Sequence, residues 1–248
     1  FGLRGYLPVI NKIKSLKIKI ICSRNKNKIS TKEIKKFKHE TDWRNIFKRN
    51  IDLIILAVPP KLQEKIILFN LRYKKKIIFE KPISSKYLTS KKIVEKLKKN
   101  RIKSEINLTY LNHKLFHKVK KIIDNKSLGA VKDYKVDWNF VSSDLNKKIK
   151  SWKTNEKIGG GIKNIFLTHV LAYCEFFFKQ GVLKGQDIKF FKFKSLKYKR
   201  YISIKLNNPK GVKGKIFVFT KKNGLQTHKI DINFENGRVQ LFTKSKDW

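Results

Sequence analysis

The chain has 248 residues, with 61 Lys and Arg against 18 Asp and Glu, a formal net charge of +43. Its hydrophobic content of 40 % is enough to bury a sizeable core and excludes a disordered chain of this charge. The lysines are spread along the whole length among Ile, Asn and Phe, with no basic block and no zinc, RNP or helix-turn-helix signature, so specific nucleic-acid recognition is not expected and only loose attraction to polyanions at low salt is.

In chain order, residues 6–16 predict a short helix and 17–22 (Lys-Ile-Lys-Ile-Ile-Cys) a strand. Helical spacing follows over 31–38 and 42–49. Asp52–Val58 is an apolar run that stops at Pro59-Pro60, as a parallel strand buried on both faces does. A helix over 61–73, a strand over 76–79, a helix over 85–99 and a strand over 102–108 complete the alternation. This pattern predicts a doubly wound parallel sheet, a Rossmann-like α/β fold with right-handed crossovers. The helix predicted at 112–124 places Leu115, Phe116, Val119, Ile122 and Ile123 on one face.

The texture changes after Gly129. Val131–Val141 alternates as an antiparallel strand does, and Gly159-Gly160-Gly161 opens an apolar helix running to about Phe178. Strands near 187–194, 200–206, 214–220, 227–234 and 238–243 follow, separated by Asn-, Gly- and Pro-containing turns. A run of strands after an α/β half predicts a second, α+β domain on a mostly antiparallel open sheet. The expected division is 1–108 for a dinucleotide-binding domain and 109–248 for a substrate and oligomerisation domain.

Cys22 and Cys174 lie in apolar segments and are expected to be reduced core residues of a cytoplasmic protein. No run of 18 apolar residues and no signal peptide is present, so no membrane partner is expected. The chain has no Met, and Phe1 opens inside what reads as a motif, so a fragment without its first strand is expected.

Three places carry chemistry. Phe1-Gly2-Leu3-Arg4-Gly5 matches the tail of a Gly-x-Gly-x-x-Gly turn, where glycines let the backbone approach a pyrophosphate. The strand that follows ends in Ser23-Arg24, where an acid would hold a ribose 2′-hydroxyl. A hydroxyl and a guanidinium there suit a 2′-phosphate, which points to NADP over NAD, with Asn25 and Lys26 as further donors. Glu80-Lys81-Pro82 closes the strand Lys76–Phe79, and ligands of open α/β sheets bind just beyond such carboxyl ends.

With these residues in place the chain resembles the Gfo/Idh/MocA family of NAD(P)-dependent oxidoreductases. Five blocks match in order: Gly2–Pro8, Asp52–Pro60, Glu80–Pro82, Ile106–Ile123, and Ser151-Trp152-Lys153 followed by Gly159–Gly161 and His169. The resemblance implies cofactor contacts from Gly2, Arg4, Gly5, Pro59, Pro60, Glu80, Lys81 and Pro82, with Lys81 beside the nicotinamide. It implies substrate contacts from Tyr110, Trp152, Asn164 and His169, with His169 transferring the proton, and a homo-oligomer. The substrate class so implied is a sugar or sugar-nucleotide-like polyol. The chemistry agrees: oxidation of a carbinol leaves a proton that an imidazole can take, and an ammonium can stabilise charge on the reacting oxygen.

The departures are specific. Ile165 stands where the family often has Asp, Ala172 where an acid often follows the His, and Gln63 where a His is common after the Pro-Pro turn. Asn164 adjoins Ile165 but points about 100° away on an α-helix. A catalytically impaired nucleotide-binding or scaffold protein of the same fold is the alternative.

Overall fold

A computed structural model describes residues 2–24, 36–141, 144, 149, 151–179, 182–193, 196–208, 210–221 and 224–244. The chain divides into two compact units, Phe1–Asn107 and Leu108–Trp248.

The first unit opens with a π-helical turn, Gly2–Tyr6, that passes into α1 (Leu7–Ile10). Strands β1 (Ile20–Cys22) and β2 (Lys38–Glu40) pair in parallel. After the short α2 (Arg44–Phe47), β3 (Leu53–Leu56), β4 (Lys76–Glu80) and β5 (Ser104–Asn107) form a second parallel sheet, linked by α3 (Pro60–Asn70) and α4 (Tyr87–Lys99). Pro59 has an extended ψ of 147° and Pro60 takes the first turn of α3, where a missing N–H costs nothing. Ile54, Leu56, Ile77 and Phe79 pack with Ile66, Ile67, Ile93 and Leu97 into one core.

A cavity of about 1240 Å³ separates the two parallel pieces. Its walls take every residue from Ser15 to Arg24 and from Ile51 to Pro59. A strand's face would supply every second residue; an unbroken run is the mark of a strand edge. Both β1 and β3 therefore turn an edge toward this space, and Ile20, Ile21, Leu53 and Ile55 are only half-buried.

In the second unit α5 (Lys114–Asp124) precedes β6 (Val131–Val141), and α6 (Thr168–Phe178) precedes β7 (Val182–Phe193), β8 (Leu196–Asn207), β9 (Lys213–Lys221), β10 (Thr227–Phe234) and β11 (Gly237–Thr243). The six strands run in the order β11-β10-β6-β9-β8-β7. Among the described residues of this sheet, only β6 and β9 pair in parallel. Tyr134, Val136, Trp138, Ile202, Val218, Ile230 and Ile232 alternate onto one face, where they meet Val170, Tyr173 and Phe177 of α6 and Phe116 of α5. Gly214 stands beside Tyr134 because a Cβ there would come within 2.2 Å of the phenol ring.

Two expectations need correction. Residues 36–38, read as the end of a helix over 31–38, are not helical, and Lys38 instead opens the strand Lys38–Glu40; Lys-His-Glu shows neither apolar alternation nor β-branching, and its pairing with β1 defines it. The part of the predicted helix over 31–35 lies outside the described residues, as do Asn25 and Lys26. Cys22 is exposed rather than in the core, because β1 lies at the open edge; Cys174 is buried as expected, and both thiols are free.

Candidate active site

The Glu-Lys-Pro loop of the first unit is held from three directions. Parallel register sets Glu80 opposite Asn107, and the Asn107 amide donates to Glu80 Oε1 at 2.8 Å. The Tyr6 hydroxyl, from the glycine turn, donates to the same oxygen at 2.7 Å. Gln63, buried on the first turn of α3, grips the loop's main chain: Nε2 donates to the Glu80 and Pro82 carbonyls at 2.6 and 3.0 Å, and Oε1 accepts from the Glu80 N–H at 3.0 Å. Ser84 adds a hydroxyl bond to Glu64 at 2.8 Å. The Lys81–Pro82 peptide is cis, and Lys81 itself is half-buried. Burial, reinforced by the Glu80 carboxylate, pushes the Tyr6 phenol well above its ordinary range, so it remains a donor at every working pH.

Of the residues read from sequence as cofactor contacts, Gly2, Ser23, Arg24 and Pro59 line the same cavity, together with Tyr6. A Cβ at Gly2 would touch the Ala57 Cβ at 3.4 Å, which places the glycine turn against the carboxyl end of β3. Ser23 Oγ lies 2.9 Å from His39 Nε2, a partner on β2 that the sequence reading did not single out. Arg24 is exposed at the end of β1. The carboxylate of Glu40, the residue paired with Cys22, accepts from the N–H groups of Asp42 and Thr41, which hold it below the usual range. Gly5 is half-buried in the helical turn, Pro60 is buried in the α3 start, and the Arg4 side chain lies outside the described residues. A glycine turn at a strand's carboxyl end, with a guanidinium and a hydroxyl at the next strand end, fits a dinucleotide.

In the second unit the triple glycine is a close-packing device. Gly159 and Gly161 have φ of 93° and 83°, and a Cβ at Gly160 would meet the Trp152 carbonyl oxygen at 2.1 Å. Trp152 is thereby held in the short 3-10 turn Trp152–Thr154, which Ser151 caps by accepting from the Lys153 N–H. Asn164 donates from Nδ2 to the Gly160 carbonyl at 2.9 Å. The helix then continues through a π segment, Lys163–Leu167, that ends just before α6 and His169. The 100° argument for Asn164 assumed α geometry, and the π segment removes that premise.

His169 is half-buried, and the Tyr110 ring meets it edge-on with centroids 5.0 Å apart. Tyr110 also turns an edge to His228 at 5.8 Å and to Trp138 at 5.7 Å. His228 is buried, stacked flat on Trp138 at 4.3 Å, with Nε2 3.0 Å from the Tyr173 hydroxyl. Burial pushes its imidazole down to about 3, so it is neutral. Tyr110 and His169 thus share one cluster, whereas Trp152 and Asn164 are tied to Gly160. His228 was missed in the sequence. Its one available signal was phase: it falls on the inward parity of Ile230, Ile232 and Phe234.

Comparison with known proteins bears on both units. Residues 2–107 match a family described as oxidoreductase family, NAD-binding Rossmann fold. A curated relative, an uncharacterized oxidoreductase of Schizosaccharomyces pombe, is 29 % identical over 116 residues, which are 46 % of this chain and 30 % of that protein. The chain therefore aligns with less than a third of that relative's length. Among solved structures, myo-inositol 2-dehydrogenase from Lactobacillus plantarum superposes with a TM-score of 0.80 at 16 % identity, over 94 % of this chain and 70 % of the other. The WlbA dehydrogenase from Bordetella pertussis, solved with NADH and UDP-GlcNAcA, gives a TM-score of 0.81 at 15 % identity, over 92 % and 66 %. At those identities the likeness is one of fold.

Proposed function

We propose that this chain, whose residues 2–107 match the oxidoreductase family with an NAD-binding Rossmann fold, transfers a hydride between NADP or NAD and a sugar or sugar-nucleotide-like polyol. The observation that carries the reading is the Glu80-Lys81-Pro82 loop at the carboxyl end of β4, fixed by Gln63 and tied through Tyr6 to the glycine turn. Solved relatives of this fold include a myo-inositol 2-dehydrogenase and a dehydrogenase bound to NADH and a sugar nucleotide, which supports the substrate class.

The nicotinamide supplies the hydride chemistry when bound. Gly2 and Gly5 let the backbone approach its phosphates, while Ser23 and Arg24 favour a 2′-phosphate through a hydroxyl and a charge. Lys81 steadies negative charge on the reacting oxygen. His169 takes the carbinol proton during oxidation and returns it during reduction. Tyr110, edge-on to that imidazole, restricts its orientation. The same reading includes a second copy of the chain on the sheet face opposite α6. There Tyr201, Phe217 and Phe219 lie beside the paired charges of Lys135, Asp137, Lys229 and Asp231.

One feature of the sequence favours the binding-only alternative: Ile165 and Ala172 stand where the resembled family often carries acids. Cofactor titration comes first as a test. Saturable binding of NADPH or NADH supports the reading, and no saturable binding of either contradicts it. Turnover with polyols then separates the enzyme from the binding protein.

A further inference from the structure

We infer that Tyr6 is a positioning residue for Lys81, acting through Glu80 to fasten the lysine's loop to the glycine turn; this rests on the cofactor reading given above. The anchors of the loop differ in origin. Asn107 belongs to the adjacent strand and Gln63 to the crossover helix, so the parallel sheet and its packing already fix both. Tyr6 comes from outside that frame, on the π-helical turn that begins at Gly2. Its hydroxyl reaches a carboxylate 74 residues away in sequence at 2.7 Å.

The bond runs from a half-buried neutral phenol to Glu80 Oε1, and that oxygen also accepts from Asn107. Because burial and Glu80 both raise the phenol's pKa, the bond persists across the physiological range. Removing the hydroxyl leaves Gln63 and Asn107 in place, so the loop keeps its fold and loses its tie to the turn. The consequence is selective: contacts at the nicotinamide end depend on Tyr6, and contacts at the adenosine end do not.

The test compares two ligands by calorimetric titration: NADPH, and adenosine 2′,5′-bisphosphate, which lacks the nicotinamide. Four proteins are titrated: the parent, Tyr6→Phe, Lys81→Ala and the double variant. We expect Tyr6→Phe to weaken NADPH about tenfold, the scale of a hydrogen bond to a charged group. The bisphosphate should stay within about twofold, and Tyr6→Phe should add nothing once Lys81 is Ala, as expected when one residue acts through another. Equal weakening of both ligands, or a loss that persists in the Lys81→Ala background, makes Tyr6 an ordinary structural support and overturns the inference. A parent that binds NADPH with Tyr6→Phe silent also overturns it, and leaves the cofactor reading intact. A parent that binds neither NADPH nor NADH overturns the cofactor reading itself, and the role of Tyr6 with it.

Discussion

Gln63 shows how a residue that departs from a family pattern acquires a role of its own. Its amide offers a donor and an acceptor on one planar group, and both are used on the main chain of the Glu-Lys-Pro loop. On the proposed function, cofactor choice rests on Arg24. Arg24→Ala should cost NADPH about 1–3 kcal/mol of its preference over NADH, the range for a charge-assisted hydrogen bond; equal affinities in the parent would count against the assignment. His228 makes a prediction about stability. Its folded-state pKa of about 3 lies below the usual value of 6.5, so the unfolded chain takes the proton first as pH falls. Its contribution is complete above about pH 6.5 and is lost on the way down toward 3. Between pH 7 and pH 5 the parent should therefore lose about 2 kcal/mol more unfolding free energy than His228→Phe, measured by urea denaturation. Equal losses in the two proteins would show that the imidazole is not buried as described.

Elements with a strong pattern were legible in the chain: β6 and β10 keep their expected bounds, and α3, β4 and α4 fall within three residues of the runs that suggested them. The three-residue β2 was not legible, since nothing in Lys-His-Glu distinguishes it before a neighbouring strand does. The partnership of Tyr173 with His228 was equally hidden, because the two lie 55 positions apart and meet only when β10 packs under α6. The Glu-Lys-Pro tripeptide was visible, but its brace was not: Tyr6, Gln63 and Asn107 come from three separate elements. At this scale the triple glycine is a firm test. Gly160→Ala puts a Cβ against the Trp152 carbonyl and should destabilise the protein by about 1–3 kcal/mol, the usual range for overpacking. An unchanged melting temperature would mean that the 151–154 turn does not pack there.

For the whole molecule, the six-stranded sheet turns one face to α5 and α6 and the other outward. The outward face pairs Arg238 and Lys229 with a nearly buried Asp231. Burial opposes that carboxylate's charge, but hydrogen bonds from Gln240, Lys229 and Arg238 outweigh it and hold its pKa below the ordinary value. Across β6 from this network stand Phe217 and Phe219, stacked 6.2 Å apart. Light scattering at micromolar concentration should report a homo-oligomer, and a clean monomer would contradict the assignment of that face to a second copy. The excess of positive charge belongs to this scale too: it predicts polyanion binding that disappears as salt is raised, without sequence preference.

The central claim is hydride transfer served by Lys81 and His169, and its most direct measurement is reduction of NADP⁺ and NAD⁺ across a panel of sugars and polyols by the parent, Lys81→Ala and His169→Ala. The account predicts turnover in the parent, a fall of about 10²–10⁴ in His169→Ala with cofactor affinity retained, and a fall in Lys81→Ala accompanied by weaker nicotinamide binding. Saturable nucleotide binding with no turnover on any substrate, or an active enzyme in which His169→Ala is silent, would contradict it.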